Sequence, residues 1–226
     1  MEIEIKTATV TWLLALTTVF LVLTHIAGQY YLFFVSPGIA PTVVGLFNLD
    51  GERNVPAAYS TLLLLACACL LMLIAHASRR KGAGYLYWLG LALVFVFLAS
   101  DEFFELHEGL VVPVRSALKT SGLLYFAWVI PYSAALGILA LIYLKFVFSL
   151  PARTRRLFLL AGLIYVAGTL GMELFAGQYY EQVQRVDAVY SLIFVTIEEL
   201  LEMTGLVIFI HALLSHIDAE LGEISL

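Results

Sequence analysis

Long apolar stretches separated by short polar breaks dominate the sequence. Runs with few charged residues occupy residues 9–34, 59–77, 85–110, 122–148, 157–180 and 188–214. Each run is long enough, or nearly so, to cross about 30 Å of hydrocarbon as an α-helix. Prolines, glycines and basic residues fill the breaks, as is typical of helix ends. The pattern therefore predicts an all-α polytopic membrane protein, with residues 1–226 forming a single domain built as a bundle of six transmembrane helices.

Basic residues are distributed unevenly between the two sides of this predicted bundle. Eight of the 12 Lys and Arg residues fall on one side and four on the other, and cytoplasmic loops carry the excess of basic residues. We therefore expect a multipass protein of the cell membrane with both termini in the cytoplasm. The N-terminal stub has no basic n-region or small-residue cleavage site, so the first span is expected to remain uncleaved.

The longest outer connection of this topology covers residues 35–58. Its middle, residues 43–47, is apolar. Such a segment is compatible with a lid that lies in the membrane interface and equally with an ordinary surface loop.

Composition narrows the class of protein. Of the 226 residues, 62% are hydrophobic and 13% are charged, whereas soluble domains are about a quarter charged. The net charge of −5 has the wrong sign for holding a phosphate backbone, so no nucleic-acid partner is expected. Cys67 and Cys69 are two apart in an apolar run and offer neither a disulfide nor a CxxC metal site. Membrane lipid is the expected partner, and the oligomeric state stays open.

Acidic residues inside the apolar runs are the main candidates for function. Eight of the 17 carboxylates fall within predicted spans, namely Asp101, Glu102, Glu105, Glu108, Glu173, Glu198, Glu199 and Glu202. One acid at the middle of a lone membrane helix costs about 2.5 to 3.5 kcal/mol. No Arg lies within a span, and Lys145 lies at a helix end where it can snorkel to the interface. We therefore expect the acids to face one another around bound positive charge.

Counting along the spans places several of these residues at one depth. Asp101, Glu173 and Glu198 each lie about 10 to 15 Å from the outer end of their span, and His25 and Tyr132 fall at the same level. At 100° per residue, Glu105 shares a helix face with Asp101, and Glu202 shares one with Glu198.

Carboxylates with helical spacing on facing helices, together with histidines, are how helical bundles hold pairs of Fe or Mn ions. We predict a metal site whose ligands come from Asp101, Glu102, Glu105, Glu173, Glu198, Glu202, His25 and His107. Glu199 and Tyr132 are predicted to orient these ligands by hydrogen bonds. The Glu-x-x-His signature of di-iron bundles is absent, and the set does not distinguish Fe, Mn and Zn among divalent metal ions. Glu108 has an alternative interpretation as an interfacial acid, and Glu105 and Glu198 as protonated, hydrogen-bonded acids.

Three segments resemble those of an uncharacterised group of bacterial multipass membrane proteins, some of which are labelled transporters. They are Phe47-Asn48-Leu49-Asp50-Gly51-Glu52, Leu98-Ala99-Ser100-Asp101-Glu102 with His107-Glu108, and Glu198-Glu199-Leu200-Leu201-Glu202. The resemblance spans most of the chain and implies no chemistry for any residue. Alkaline ceramidase-like hydrolases share buried acids and histidines, but their paired histidines on the last helix are not matched by His211 and His216, which are five apart.

Three functions remain open from the sequence. The first is a metal-dependent membrane enzyme, a hydrolase or an oxidoreductase, acting on a lipid-soluble substrate that arrives through the bilayer. The second is a cation- or proton-coupled transporter that uses the same buried acids. The third is a non-catalytic subunit of a membrane complex. The sequence assigns no catalytic residue.

Overall fold

The structure, a computed structural model, describes residues 6–36, 42–80 and 84–219 together with the helical backbone of Glu220. Helices account for most of these residues, and no β-strand occurs among them, which confirms the all-α prediction. The α-helices of the described residues are α1 (Thr7–Tyr30), α2 (Thr42–Leu46), α3 (Val55–Arg80), α4 (Tyr85–Phe104), α5 (Glu108–Leu118), α6 (Val129–Ser149), α7 (Ala152–Val166), α8 (Glu173–Val183) and α9 (Thr196–Glu220).

Five helical stretches are long and apolar enough to cross a membrane. They are Thr7–Val35, Val55–Arg80, Tyr85–Phe104, Val129–Ser149 and Ala152–Val183. The sixth predicted span corresponds to α9, which is not among these five and carries three acids near its start. The structure therefore supports five candidate spans in the described part of the chain.

Helix α9 forms the centre of the bundle. It packs against α1, α3 and α7, and side chains such as Met203 and Leu213 on it are fully buried. By contrast, large apolar side chains on the surrounding helices point outward, and Leu141 on α6 is 77% exposed. An apolar exterior of this kind is the surface that lipid covers.

Helix α4 ends earlier than the sequence predicts, so the continuous helix expected over residues 85–110 is wrong beyond Phe104. Glu105 adopts a left-handed conformation with φ of 57°, and its amide donates to the carbonyl of Asp101. A left-handed residue terminates an α-helix, because the next residues turn away from the helix axis. After this turn the chain continues as α5.

Two other predicted spans contain π-helical turns beside acidic residues. One turn, Ala167–Met172, joins α7 to α8 directly before Glu173, and the other, Tyr190–Val195, leads into α9 just before Glu198. A π-turn inserts an extra residue into the helix and rotates everything that follows it. The faces of Glu173 and Glu198 are therefore not those that an ideal helix would give them.

Close contact between α7 and α9 depends on Gly205. A Cβ atom at this position would lie 2.8 Å from the Tyr165 Cβ and 2.9 Å from the Tyr165 backbone nitrogen. A glycine at this position therefore allows the two helices to approach closely.

We expect Gly205→Ala to destabilise the protein by about 1 to 3 kcal/mol, because α7 must move to make room for the added methyl group. Thermal unfolding in a single detergent measures the effect. Gly137→Ala on α6 is the matched control, since a Cβ there has nothing within 4 Å. Equal unfolding temperatures for the two variants would contradict the assignment of this contact.

Candidate functional site

One cavity of about 380 Å³ gathers seven of the eight acids that lie within the predicted spans. It lies between the end of α4, the start of α9, the π-turn before α8 and the segment that precedes α3. Nine carboxylate side chains line it, from Asp50, Glu52, Asp101, Glu102, Glu108, Glu173, Glu198, Glu199 and Glu202. His107 also lines the cavity, whereas no Lys or Arg of the described residues does. The cavity thus concentrates negative charge without a cationic side chain in its wall.

The structure brings together all the predicted site residues except Glu105 and His25. Asp101, Glu102 and His107 reach the cavity from α4 and the turn after it, Tyr132 reaches it from α6, and Glu173 from α8. Helix α9 supplies the remaining three, which are Glu198, Glu199 and Glu202. The shared depth inferred from residue counting is consistent with this arrangement.

Asp101 is held by three protein donors. Its Oδ1 accepts hydrogen bonds from the His107 backbone N–H at 2.9 Å and from the Tyr132 hydroxyl at 2.8 Å. Its Oδ2 lies 3.2 Å from His107 Nδ1. A carboxylate only accepts hydrogen bonds, so Nδ1 carries the proton in this pair and Nε2 is left to act as acceptor or ligand. Asp101 therefore orients His107, and the role of metal ligand predicted for Asp101 stays a prediction.

Glu173 is oriented by an indole. Trp128 Nε1 donates to its Oε1 at 2.7 Å. The Trp128 ring also packs against His107, with ring centroids 4.8 Å apart, and against Tyr132 at 5.1 Å. These contacts fix one side of the cavity through a single aromatic cluster.

The acids of α9 form the opposite side. No protein group of the described residues donates a hydrogen bond to Glu198 or Glu199. Gly168 brings the π-turn against this part of α9, because a Cβ there would lie 2.8 Å from the Glu198 carbonyl oxygen. These carboxylates are therefore enclosed by protein and left to interact with whatever occupies the cavity.

His25, predicted as a ligand, is instead committed to the fold. It is 1% exposed, its Nδ1 accepts from the Leu49 backbone N–H at 3.0 Å, and its Nε2 lies 3.2 Å from the Ser191 carbonyl oxygen. Both ring nitrogens are thus occupied by backbone groups, and the ring does not line the cavity. Through these two contacts, His25 holds the segment before α3 against the rest of the bundle.

We expect His25→Leu to release this segment and leave metal content unchanged. Loss of the hydrogen bond to Leu49, worth roughly 1 kcal/mol, should speed hydrogen exchange at the Leu49 amide about fivefold. Thr24→Ala is the control, because the Thr24 hydroxyl bonds only to carbonyls of its own helix. If His25→Leu lost bound metal while the Leu49 amide stayed protected, His25 would be a metal ligand and not a structural residue.

The segment between α2 and α3 lies along one side of the cavity. Gln29 donates to the Asn48 side chain at 2.8 Å, and Asn54 donates to the Asn48 carbonyl at 2.7 Å. Between these anchors, residues 49–52 line the cavity. Part of the predicted lid, residues 37–41, lies outside the described residues.

Glu105 is half-buried and does not line the cavity, but it lies beside Glu52 and Glu108, which do. One oxygen from each of Glu52, Glu105 and Glu108 falls within 4.8 Å of the others. Within the described residues, these are the acids that approach as a group of three to the spacing of metal ligands. The deeper acids are instead spread around a cavity wide enough for water, and the metal site predicted for them stays a prediction.

Sequence reasoning missed Asp50, Glu52 and Trp128. Asp50 is accessible through the cavity, but the surrounding protein, and then the charge of Glu108, raise its pKa to about 6. The signal available for the first two residues was a pair of acids flanking Gly51 in an apolar loop. Nothing in the spacing distinguished Trp128 from an interfacial aromatic residue.

Fold and site together define an all-α protein with helices apolar enough to span a membrane, arranged around an acidic cavity. The chain belongs to the family described as Domain of unknown function (DUF8692), whose model matches residues 13–217. That match covers most of the chain, in agreement with a family resemblance that extends over most of the sequence. No curated protein matches the chain, and no solved structure does.

Proposed function

We propose that this protein is a membrane-embedded enzyme that binds divalent metal ions in the acidic cavity and acts on a membrane-soluble substrate. The observation that carries the proposal is the set of nine carboxylates around one cavity without Lys or Arg of the described residues. Asp50, Glu52 and Glu108 are exposed, but the other six are partly or fully buried. That many ionised groups of one sign cannot be packed away from water unless positive charge joins them or most of them are protonated. Bound metal ions supply that charge.

The spacing of the acids favours a hydrated ion. Mg²⁺ and similar hard cations keep several waters and use few protein carboxylates, so they need no tight shell of side chains. His107 offers Nε2 as a ligand while Asp101 holds its Nδ1, the arrangement by which carboxylates orient ligating histidines. Glu173, Glu198 and Glu202 are the proposed carboxylate ligands, directly or through water. We therefore favour Mg²⁺ or Mn²⁺ over a closed zinc site.

Elemental analysis of the purified protein tests metal binding, and lipid turnover tests the reaction. Metal-loaded protein is incubated with a total membrane lipid extract, and mass spectrometry compares the lipid species with those left by Glu198→Gln/Glu202→Gln. The proposal expects stoichiometric metal and metal-dependent loss of a lipid class with the unchanged chain only. Folded protein without metal would overturn the metal site, and metal-replete protein without turnover would overturn the enzyme.

A cation-coupled transporter is the second candidate, and the broken helices favour it. Non-helical or π-helical turns lie beside the acids at Glu105, Glu173 and Glu198, and transporters place ion sites at such interruptions. Liposomes containing the protein and an internal Mn²⁺-sensitive dye decide between the two. Mn²⁺ uptake that Glu173→Gln abolishes supports transport, whereas the enzyme proposal expects no uptake.

We also propose that α9 crosses the membrane as a sixth span, with both termini cytoplasmic. Its central place in the bundle supports this, because a helix enclosed by α1, α3 and α7 is as deep as they are. The acidic cavity then opens near the outer surface. Cysteine labelling at Ser78 and Ser121 tests the topology, since impermeant reagent applied to intact cells should reach the second position and not the first.

A further inference from the structure

A second cavity adjoins the acidic one and has the opposite character. It has a volume of about 510 Å³ and lies between α4, α6, α7 and α9. Away from the end that adjoins the acidic cavity, its lining side chains are almost all apolar, including Leu136, Leu139 and Phe209. We call this space the apolar groove.

The apolar groove and the acidic cavity meet at one level. Leu98, Tyr132, Tyr165 and Thr169 line both spaces. Tyr132 is the residue whose hydroxyl donates to Asp101, so the groove begins beside the Asp101–His107 pair. From Tyr132 to Val147, both in the groove wall, α6 extends about 22 Å at 1.5 Å per residue. The apolar groove is therefore elongated, and the acidic cavity lies at one end of it.

An alkyl chain alone gains little by entering this groove from lipid, since bilayer hydrocarbon is as apolar as the groove. Affinity must come from a polar head in the acidic cavity, while the groove sets the direction of the chain. The acidic cavity therefore selects a ligand by the chemistry of its polar head.

The walls of the acidic cavity favour an ammonium group. Besides the carboxylates, the lining of the acidic cavity includes aromatic side chains, namely those of Phe126, Trp128, Tyr132, Tyr165 and Tyr190. Aromatic faces attract organic cations by about 0.5 to 2 kcal/mol each, and carboxylates add charge-assisted hydrogen bonds. An anionic head would find positive charge only in a bound metal ion and would face the remaining carboxylates, because no Lys or Arg of the described residues lines the cavity.

We propose that the substrate is a single-chain amphiphile with an ammonium head, bound with its head in the acidic cavity and its alkyl chain in the apolar groove. This inference rests on the proposed function and names its substrate class. Carboxylates of the cavity not engaged by metal hold the head. The chain then runs along α6, parallel to the surrounding helices.

Photolabelling in lipid nanodiscs tests this placement. The probe is dodecylamine with a diazirine at the chain end, and labelled peptides are mapped by mass spectrometry. We expect labelling on α6 and α7 at the end of the apolar groove far from the acidic cavity. Unlabelled dodecylamine should compete strongly with the probe, whereas dodecanol and dodecanoate should compete weakly. Competition by dodecanoate equal to that of the amine, or labelling outside the groove, would overturn the proposal.

Two neighbouring substitutions on α6 separate groove binding from contact with bulk lipid. Ala140 lines the groove, whereas Leu141 beside it faces outward. Ala140→Trp should reduce labelling about tenfold by steric exclusion, and Leu141→Trp should not. Equal labelling of both variants means that the probe is in bulk lipid, and the proposal fails.

The metal content of each sample distinguishes the two proposals. Ala140→Trp should retain the metal of the unchanged chain, because position 140 does not line the acidic cavity. Loss of labelling with metal retained supports the groove. Metal-free unchanged protein overturns the proposed function whatever the labelling shows, and metal-replete protein without amine-specific labelling overturns this inference alone.

Discussion

Replacing Glu198 and Glu202 together by glutamine should weaken binding of Mn²⁺ by on the order of tenfold for each charge removed, since the number of ligand charges tunes the affinity of carboxylate sites. The same variant should be more stable than the unchanged chain when both are free of metal, by roughly 1 to 4 kcal/mol. The reason is that two desolvated acids without counter-charge have been replaced by neutral groups. Calorimetric titration measures the affinity, and thermal unfolding with and without chelator measures the stability.

Asp218→Asn is the matched control on the same helix. Asp218 is exposed near the end of α9 and accepts a hydrogen bond from Thr7 at 2.7 Å, far along the helix from the cavity. It should leave Mn²⁺ affinity unchanged. If the double variant binds Mn²⁺ as the unchanged chain does, or is less stable in the metal-free state, Glu198 and Glu202 do not hold a cation.

Asp101→Asn should lower metal affinity about 10- to 100-fold, the usual cost of removing a partner that orients a ligating histidine. The amide presents one acceptor where the carboxylate has two, so the His107 ring loses the partner that fixes its tautomer. Metal titration measures the affinity, and nitrogen NMR of the His107 ring reports the tautomer.

Tyr132→Phe separates this effect from simple disturbance of the site. It removes one of the three donors to Asp101 and leaves both contacts with His107 in place. Its cost should be near that of one hydrogen bond, about 1 kcal/mol. If Tyr132→Phe reduced affinity as much as Asp101→Asn, orientation of His107 would not be the role of Asp101.

The sequence predicts the helical class well, and it places together acids that line one cavity, for a physical reason. Apolar length is set by the thickness of the bilayer, and counting from the end of a span tolerates errors of one or two residues. Asp101, Glu173 and Glu198 therefore reach one cavity, although each of their helices begins or ends differently from the expectation.

Directions around the helix axis are predicted less well. An ideal helix puts His107 120° away from Asp101, yet the left-handed Glu105 turns the chain so that the two side chains meet. The π-turns before Glu173 and Glu198 have the same effect on register. These interruptions are stabilised by contacts with distant residues, such as Trp128 with Glu173, which local sequence patterns do not encode.

The role of His25 illustrates a second limit of sequence patterns. Its depth matched that of the acids, but its partners are backbone groups of Leu49 and Ser191. Both belong to segments far from it in the chain. Tertiary packing decides whether a buried histidine binds a metal or a backbone amide, and both uses have the same appearance in the sequence.

A structure of the protein soaked in Mn²⁺, with anomalous difference maps, shows whether the acidic cavity holds a cation. We predict anomalous density inside the acidic cavity, between His107 and the carboxylates of Glu173, Glu198 and Glu202. Density confined to the more exposed group of Glu52, Glu105 and Glu108, or a cavity holding only water, would contradict the claim that bound cations offset the charge of the deeper acids.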